Sequence, residues 1–188
     1  MTLAIAQLGQ PVLREKAIEV PVEEIGTPGL QAFLQEMART MIERAGVGLA
    51  APQVFTSKRI FLARVVPPPT EDELPGIEVF INPRITSVSA ERALGWEGCL
   101  SFMELSVLVP RHKGIVVEYR NAAGEAKSLE LNGFSARVVQ HENDHLDGIL
   151  IIDRARSTLD IVKTSEMETV VEERKRRRLE KENARHDQ

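Results

Sequence analysis

A pair of histidines four residues apart constrains this chain more than any other feature of its sequence. Residues 140–145 read Gln-His-Glu-Asn-Asp-His, so His141 and His145 would lie one helical turn apart on the same face. Two imidazoles in that arrangement can bind one metal ion, and Glu142 would then lie within reach of whatever the ion binds. A surface helix that carries two histidines by chance is the simpler alternative, and a third ligand would decide between them.

Composition and charge narrow the class of protein. The chain has 188 residues, of which 43% are hydrophobic and 28% charged, as in ordinary globular proteins. Its net charge of −4 gives no overall basic surface for nucleic acid, so no DNA partner is predicted. The length predicts a single domain over residues 1–188. Because the sequence contains neither a membrane-length apolar run nor a signal-type N-terminus, it predicts a cytoplasmic location and no membrane partner.

The order of predicted elements indicates an α+β fold. Thr27 and Pro28 mark the start of an N-terminal helix over residues 29–45, with Gly46 as its stop. Hairpin-length connections predict antiparallel β-sheets around a central helix that carries the two histidines. The strands are predicted at Arg59–Arg64, Ile77–Pro83, Arg84–Ser89, Leu105–Val109, Ile115–Tyr119 and Lys127–Leu131.

Two further segments complete the predicted layout. Residues 65–76 are rich in proline and acidic residues, which is typical of a surface loop between strands. A C-terminal helix is predicted from Ser157 to about residue 180. The core then covers about residues 1–155, and the C-terminal helix with a charged tail covers about residues 157–188.

The third metal ligand is best sought at Cys99. A metzincin pattern would place a third histidine at position 151, where isoleucine cannot bind a metal. A thermolysin-like glutamate stays open, since acidic residues follow at Glu166, Glu168 and Glu172. Cys99 is the lone thiol and lies in a Glu-Gly-Cys-Leu-Ser run; with two imidazoles it would leave a fourth position open for water. A cysteine protease with a histidine base would leave the spacing of the two histidines unexplained.

Three separated segments resemble the peptide deformylase family. They are Gly46–Gln53, Glu97–Ser101 and Gln140–Gly148, and the resemblance extends over about residues 8–155. It implies that Cys99, His141 and His145 bind one divalent metal ion, natively Fe²⁺, for which Zn²⁺, Ni²⁺ or Co²⁺ can substitute. It also implies hydrolysis of the N-formyl group on the starting methionine of nascent polypeptides, with release of formate.

The resemblance assigns roles to further residues. Glu142 would transfer the proton of the attacking water, while the Gln53 amide and the Leu100 backbone N–H would stabilise charge on the formyl oxygen. The small residues of the first segment would let the peptide lie alongside as an added strand. Glu97 would orient or brace the site. The residues predicted to bind substrate are Val47, Gly48, Glu97, Gly98, Phe134, Arg137 and Val138.

Some positions depart from the family pattern. Met103 and Ser106 stand where many bacterial members have proline and an arginine that helps to hold substrate, which bears on peptide preference. The basic run at residues 174–178 would allow ribosome contact through the C-terminal helix. Two alternatives stay open: a non-catalytic or altered-specificity relative associated with ribosomes, and a zinc endopeptidase, in which metal binding would survive Cys99→Ala.

Overall fold

The computed structural model describes residues 2–65 and 76–186, so the surface loop predicted over residues 65–76 lies almost wholly outside the described residues. The helices are α1 (Val22–Ile25), α2 (Pro28–Glu43), α3 (Gly133–Leu146) and α4 (Met167–His186). The strands are β1 (Gly48–Ala50), β2 (Ile60–Arg64), β3 (Ile77–Val88), β4 (Arg92–Glu97), β5 (Leu105–His112), β6 (Gly114–Arg120), β7 (Ala126–Asn132) and β8 (Ile161–Lys163).

These strands form two antiparallel sheets. The larger sheet has the order β1-β2-β3-β6-β7, and the smaller has the order β4-β5-β8. The β6–β7 hairpin turns at Gly124, whose φ of +82° suits a residue without a side chain. Helix α3 contacts strands of both sheets. The predicted α+β class, with antiparallel sheets around a helix, is confirmed.

Helix α2 begins as the sequence predicts. The Thr27 hydroxyl accepts a hydrogen bond from the Leu30 backbone N–H, and Pro28 occupies the first helical position. The apolar stripe of the helix is buried against β1 and β2, and it includes Leu34, Met37 and Met41. The methionines of this helix are therefore core residues.

Strand β3 joins two strands that the sequence predicts as separate. It continues through Pro83, which has no N–H for a sheet ladder, because the pairing with β6 is irregular between Ile81 and Arg84. Asn82 has a left-handed φ of +51° at this irregularity, and its side chain bonds both backbone groups of Val20. The irregularity thus accommodates proline inside one long strand.

The predicted start of the C-terminal helix at Ser157 is wrong. A short turn at Thr158–Asp160 is followed by β8, whose residues pair with Leu105–Val107 of β5. Helix α4 begins only at Met167. The difference arises because the β5 edge offers unpaired backbone groups to a segment that contains two β-branched residues, Ile161 and Val162.

Candidate active site

Helix α3 and the end of β4 bring three metal-ligating side chains together. The ligand atoms of Cys99, His141 and His145 all lie within 4.8 Å of one another, and Cys99 Sγ is 3.2 Å from His145 Nε2. Both imidazoles are buried. A thiolate with two imidazoles suits iron, zinc, nickel or cobalt. The buried Glu142 Oε2 beside them has no hydrogen-bond partner among the described residues, which fits a site that receives a water molecule.

Glu97 fixes the orientation of His141. Its Oε2 lies 3.0 Å from His141 Nδ1, which leaves Nε2 of that imidazole free for an ion. Arg111 donates to both Glu97 oxygens at 3.0 Å, and Arg137 donates to Oε1 at 2.7 Å. Burial raises the pKa of Glu97, but the bonds from His141 and Arg111 outweigh it and bring that pKa to about 2. Glu97 is therefore a carboxylate that braces the site.

A chain of charges extends from Glu97 to the far side of α3, and sequence reasoning missed it. Arg111 Nη1 lies 2.5 Å from Asp144 Oδ2, and Arg154 Nη2 lies 2.6 Å from Asp144 Oδ1. The alternation of β5 could have indicated this pairing, because Val107, Val109 and Arg111 fall on the same, buried face of the strand. An arginine on a buried face needs an acidic partner, so Arg111 indicates a buried ion pair.

Glu142 is held against the first small-residue segment. A Cβ on Gly48 would lie 2.2 Å from Glu142 Oε1, so this glycine makes room for the carboxyl. Burial raises the pKa of Glu142 to about 7. A carboxyl with that pKa can both accept and release a proton near neutrality.

Gln53 presents a fixed amide donor. Its Oε1 accepts from the Ala50 backbone N–H at 2.8 Å, which sets the orientation of the amide. Its Nε2 donates to Ser101 Oγ at 3.1 Å and lies 3.4 Å from Cys99 Sγ. The N–H groups therefore face the metal-ligand cluster, where negative charge can be stabilised.

A cavity of about 360 Å³ opens beside these groups. The seven residues predicted to bind substrate all line it, together with Leu100, Gln53 and Glu142. Arg137 lines it with its charge already engaged, because its guanidinium also donates to the backbone oxygens of Ala93 and Val109. Trp96 is a lining residue that sequence reasoning did not assign, although it is the only tryptophan and lies near the only cysteine.

Other predicted positions lie elsewhere. Met103 is 71% exposed and outside the cavity lining. Ser106 is buried, pairs with Val162 of β8 and has its hydroxyl 3.0 Å from that of Thr164. The glutamates considered as a third ligand are exposed on the C-terminal segment, and none lines the cavity: Glu166, Glu168 and Glu172.

The fold and the site place a Cys/His/His cluster that could hold a metal ion beside a cavity, an arrangement that is typical of metal-dependent hydrolases. A family model described as polypeptide deformylase matches residues 2–160. Peptide deformylase 2 of Nostoc sp. is 42% identical over 171 residues, which cover 90% of this chain and 94% of that protein. The peptide deformylase of Thermus thermophilus is 44% identical over 163 residues, 82% of each chain.

Solved structures agree with these relatives. The crystal structure of peptide deformylase from Thermotoga maritima matches with a TM-score of 0.76 at 41% identity, covering 84% of this chain and 99% of that one. A Met-ala-ser bound class I type b peptide deformylase from Acinetobacter baumannii matches with a TM-score of 0.76 at 39% identity, covering 82% of this chain and 98% of that one.

The chain belongs to the polypeptide deformylase family. It is a hydrolase that removes the N-formyl group from the formylmethionine of newly made polypeptides, a step of protein biosynthesis. The non-catalytic alternative is not favoured by these relatives. Among the described residues, no helix is long and apolar enough to cross a membrane.

Proposed function

We propose that Cys99, His141 and His145 bind one divalent ion and that Glu142 is the proton-transfer group of formyl hydrolysis. The observation that carries the proposal is that the three ligand atoms lie within 4.8 Å of one another, while the next residue after His141 is a buried glutamate whose carboxyl lies against Gly48. When bound, the ion would supply Lewis-acid polarisation and a water molecule of lowered pKa. Glu97 holds His141 so that the same nitrogen always faces the ion.

The chain's own groups then perform two tasks. Glu142 takes the proton of the attacking water and passes it to the leaving nitrogen, which its raised pKa and its burial support. The Gln53 amide would donate to the oxygen on which negative charge develops, because the Ala50 N–H holds its Oε1 and so directs its Nε2 toward Cys99. Leu100 would add its backbone N–H to that oxygen, and it lines the same cavity.

The peptide would lie between the two sheets. Strands β1 and β4 are end strands of their sheets, and both border the cavity at Gly48 and Glu97. An extended peptide can therefore bond to a free strand edge. The apolar side chains of Val47, Phe134 and Val138 line the cavity and form a surface for the methionine side chain.

Formate release from formyl-Met-Ala-Ser tests this proposal. Protein prepared anaerobically with Fe²⁺ is compared with Glu142→Gln, which keeps the size of the side chain but cannot accept a proton. We expect turnover to fall about a hundredfold or more in the variant, with metal content unchanged. Turnover that persists in Glu142→Gln, or metal binding that does not depend on Cys99, would contradict the assignment.

We propose Fe²⁺ as the native ion. The thiolate and two imidazoles support iron equally with the substitutes Zn²⁺, Ni²⁺ and Co²⁺, so the choice must be measured. Protein purified without added metal and without oxygen should carry iron, and exposure to air should lower its turnover. Equal turnover before and after exposure, with zinc bound, would overturn the choice of iron.

We also propose that the chain forms a single catalytic domain acting on nascent formylated peptides in the cytoplasm. The predicted ribosome contact through α4 stays a prediction. Its basic side chains are largely paired with acidic ones, for example Arg177 with Glu173 and Arg178 with Glu182. Unchanged co-sedimentation with ribosomes after truncation at Ser165 would remove that prediction.

A further inference from the structure

The C-terminal helix reaches the wall of the cavity at Trp96. Trp96 and Glu97 are consecutive residues of β4, so their side chains leave opposite faces of the strand. Glu97 points inward to Arg111 and His141, whereas the ring of Trp96 lies beneath Arg174 of α4. Trp96 is also a lining residue of the cavity, so one residue borders both the cavity and α4.

Arg174 is fixed in place over this ring. Its guanidinium carbon lies 5.4 Å from the ring centroid, which is within the range of a cation–π contact. Arg174 Nη1 bonds Asp160 Oδ1 at 3.0 Å, and Nη2 donates to the Leu159 backbone oxygen. These two hydrogen bonds hold the guanidinium over the ring of Trp96.

Asp160 anchors this contact to the sheet. Asp160 is 5% exposed, and its carboxylate forms ion pairs with Arg156 and Arg174. Strand β8 begins at the next residue, and Ile161 pairs with Val107 of β5, the direct neighbour of β4. The position of Arg174 is therefore coupled to the strand pair that carries Trp96.

We propose, on the basis of the proposed function, that Arg174 is a positioning residue. It orients Trp96 so that Trp96 contacts the peptide residues that follow formylmethionine. Trp96 precedes the ligand Cys99 by three residues, which is about 10 Å of extended chain. A peptide whose formyl group lies at Cys99 would bring its second and third residues to that distance. The flat indole favours apolar or aromatic side chains there.

The test compares two formylated substrates that differ in the length of the peptide after formylmethionine. Formyl-Met-Ala-Ser extends to Trp96, and formylmethionine amide does not. In Arg174→Gln we expect KM for the tripeptide to rise about threefold to tenfold, with kcat and both constants for the amide unchanged. Because Trp96 is the only tryptophan, its fluorescence reports the same change directly, and the emission should move to longer wavelength.

Two further variants make the result specific. Arg178→Gln removes the same charge from the same helix, but its side chain is 81% exposed and bonds Glu182; KM and fluorescence should match the parent protein. Arg174→Lys keeps a cation near the ring but loses the forked contacts to Asp160 and Leu159, so it should recover only part of the tripeptide KM. Equal constants for Arg174→Gln and Arg178→Gln, or an equal loss on both substrates, would overturn the inference. No turnover of either substrate by the parent protein would overturn the proposed function and this inference with it.

Discussion

At residue 48 a glycine is required by a side chain from another element. Its own backbone has no left-handed φ, yet a Cβ there would lie 2.2 Å from Glu142 Oε1 and 2.6 Å from its carboxyl carbon. Contacts that short force the carboxyl to move. The first small-residue segment therefore sets the position of the Glu142 carboxyl, the proposed proton-transfer group, as well as the strand edge proposed for the peptide.

Gly48→Ala should consequently lower kcat about a hundredfold while the protein keeps its metal, because the carboxyl is displaced by an ångström or more. Formate release and metal content would be measured together. The matched control is Gly29→Ala, since a Cβ at Gly29 meets nothing within 4 Å. If Gly48→Ala lost its metal as well, the glycine would be supporting the fold and not the base.

Tyr119 gives a residue-scale prediction about pH. Burial raises the pKa of this phenol. The neighbouring Glu78 carboxylate, which accepts a hydrogen bond from the phenol at 3.0 Å, raises that pKa further. The pKa of an unfolded tyrosine is about 10, so the contribution of Tyr119 to stability is complete below pH 10 and is lost as the pH rises above it.

Above pH 10 the free energy of unfolding should therefore fall more steeply for the parent protein than for Tyr119→Phe. Tyrosinate absorbance gives an independent check because the chain contains one tyrosine. Ionisation of that tyrosine in the native protein near pH 10 would show that the Glu78 contact does not form.

At the scale of elements, the end of α2 shows how a left-handed turn can be made without glycine. The Gly46 N–H bonds the Met41 oxygen at 2.8 Å, and the Ala45 N–H bonds the Ile42 oxygen at 3.0 Å. This pattern normally places glycine at the position that Ala45 occupies with φ +52°. Glycine stands one residue later, where a Cβ would lie 3.1 Å from Leu100 Cδ1.

Substitution by glycine should therefore have opposite effects inside α2 and just after its C-terminal end. Ala45→Gly removes left-handed strain and should raise the free energy of unfolding by about 1 kcal/mol. Ala32→Gly, at an exposed position in the helix interior, should lower it by about 1 kcal/mol. Urea unfolding of both variants measures the sign of each change in the free energy of unfolding. A loss of stability in Ala45→Gly would show that Ala45 is not strained.

The sequence predicts elements that short local patterns specify, such as a helix cap or a periodic face. It does not predict an element that forms only because a distant strand pairs with it. Thr27 and Pro28 specify the start of α2 by capping chemistry, and the four-residue spacing of the histidines specifies one face of α3. Strand β8 has three residues, too few for a periodic pattern, and it exists because β5 offers an edge to Ile161–Lys163. The predicted helix from Ser157 failed for that reason.

Across the whole molecule, the candidate site also contains residues that a short motif specifies and residues that depend on packing between distant elements. The three family segments contain the proposed ligand and proton-transfer side chains within short motifs, so sequence reasoning could name Cys99, His141 and Glu142. Arg111 and Arg174 act through partners on other elements, at Asp144 and Trp96. Such contacts depend on how the sheets and helices are packed, which no single segment of sequence specifies.

The ligands also connect two layers of the fold. Cys99 follows β4 of the three-stranded sheet, whereas His141 and His145 belong to α3, which packs on the five-stranded sheet. An ion bound by all three would link these layers only in the folded state. Binding energy then becomes folding energy, and at a free metal concentration of 100 times Kd the gain is about 2.7 kcal/mol.

Removal of the metal by a chelator should accordingly lower Tm, and added metal should restore it. In Cys99→Ala this metal-dependent increase in Tm should disappear, because the two imidazoles lie on one helix and cannot link the layers. His112→Gln is the matched control: this histidine lies outside the ligand cluster, bonded to the Ser89 backbone oxygen, so its variant should keep the increment. An undiminished increment in Cys99→Ala would mean that another side chain completes the site, as a zinc endopeptidase with a glutamate ligand requires.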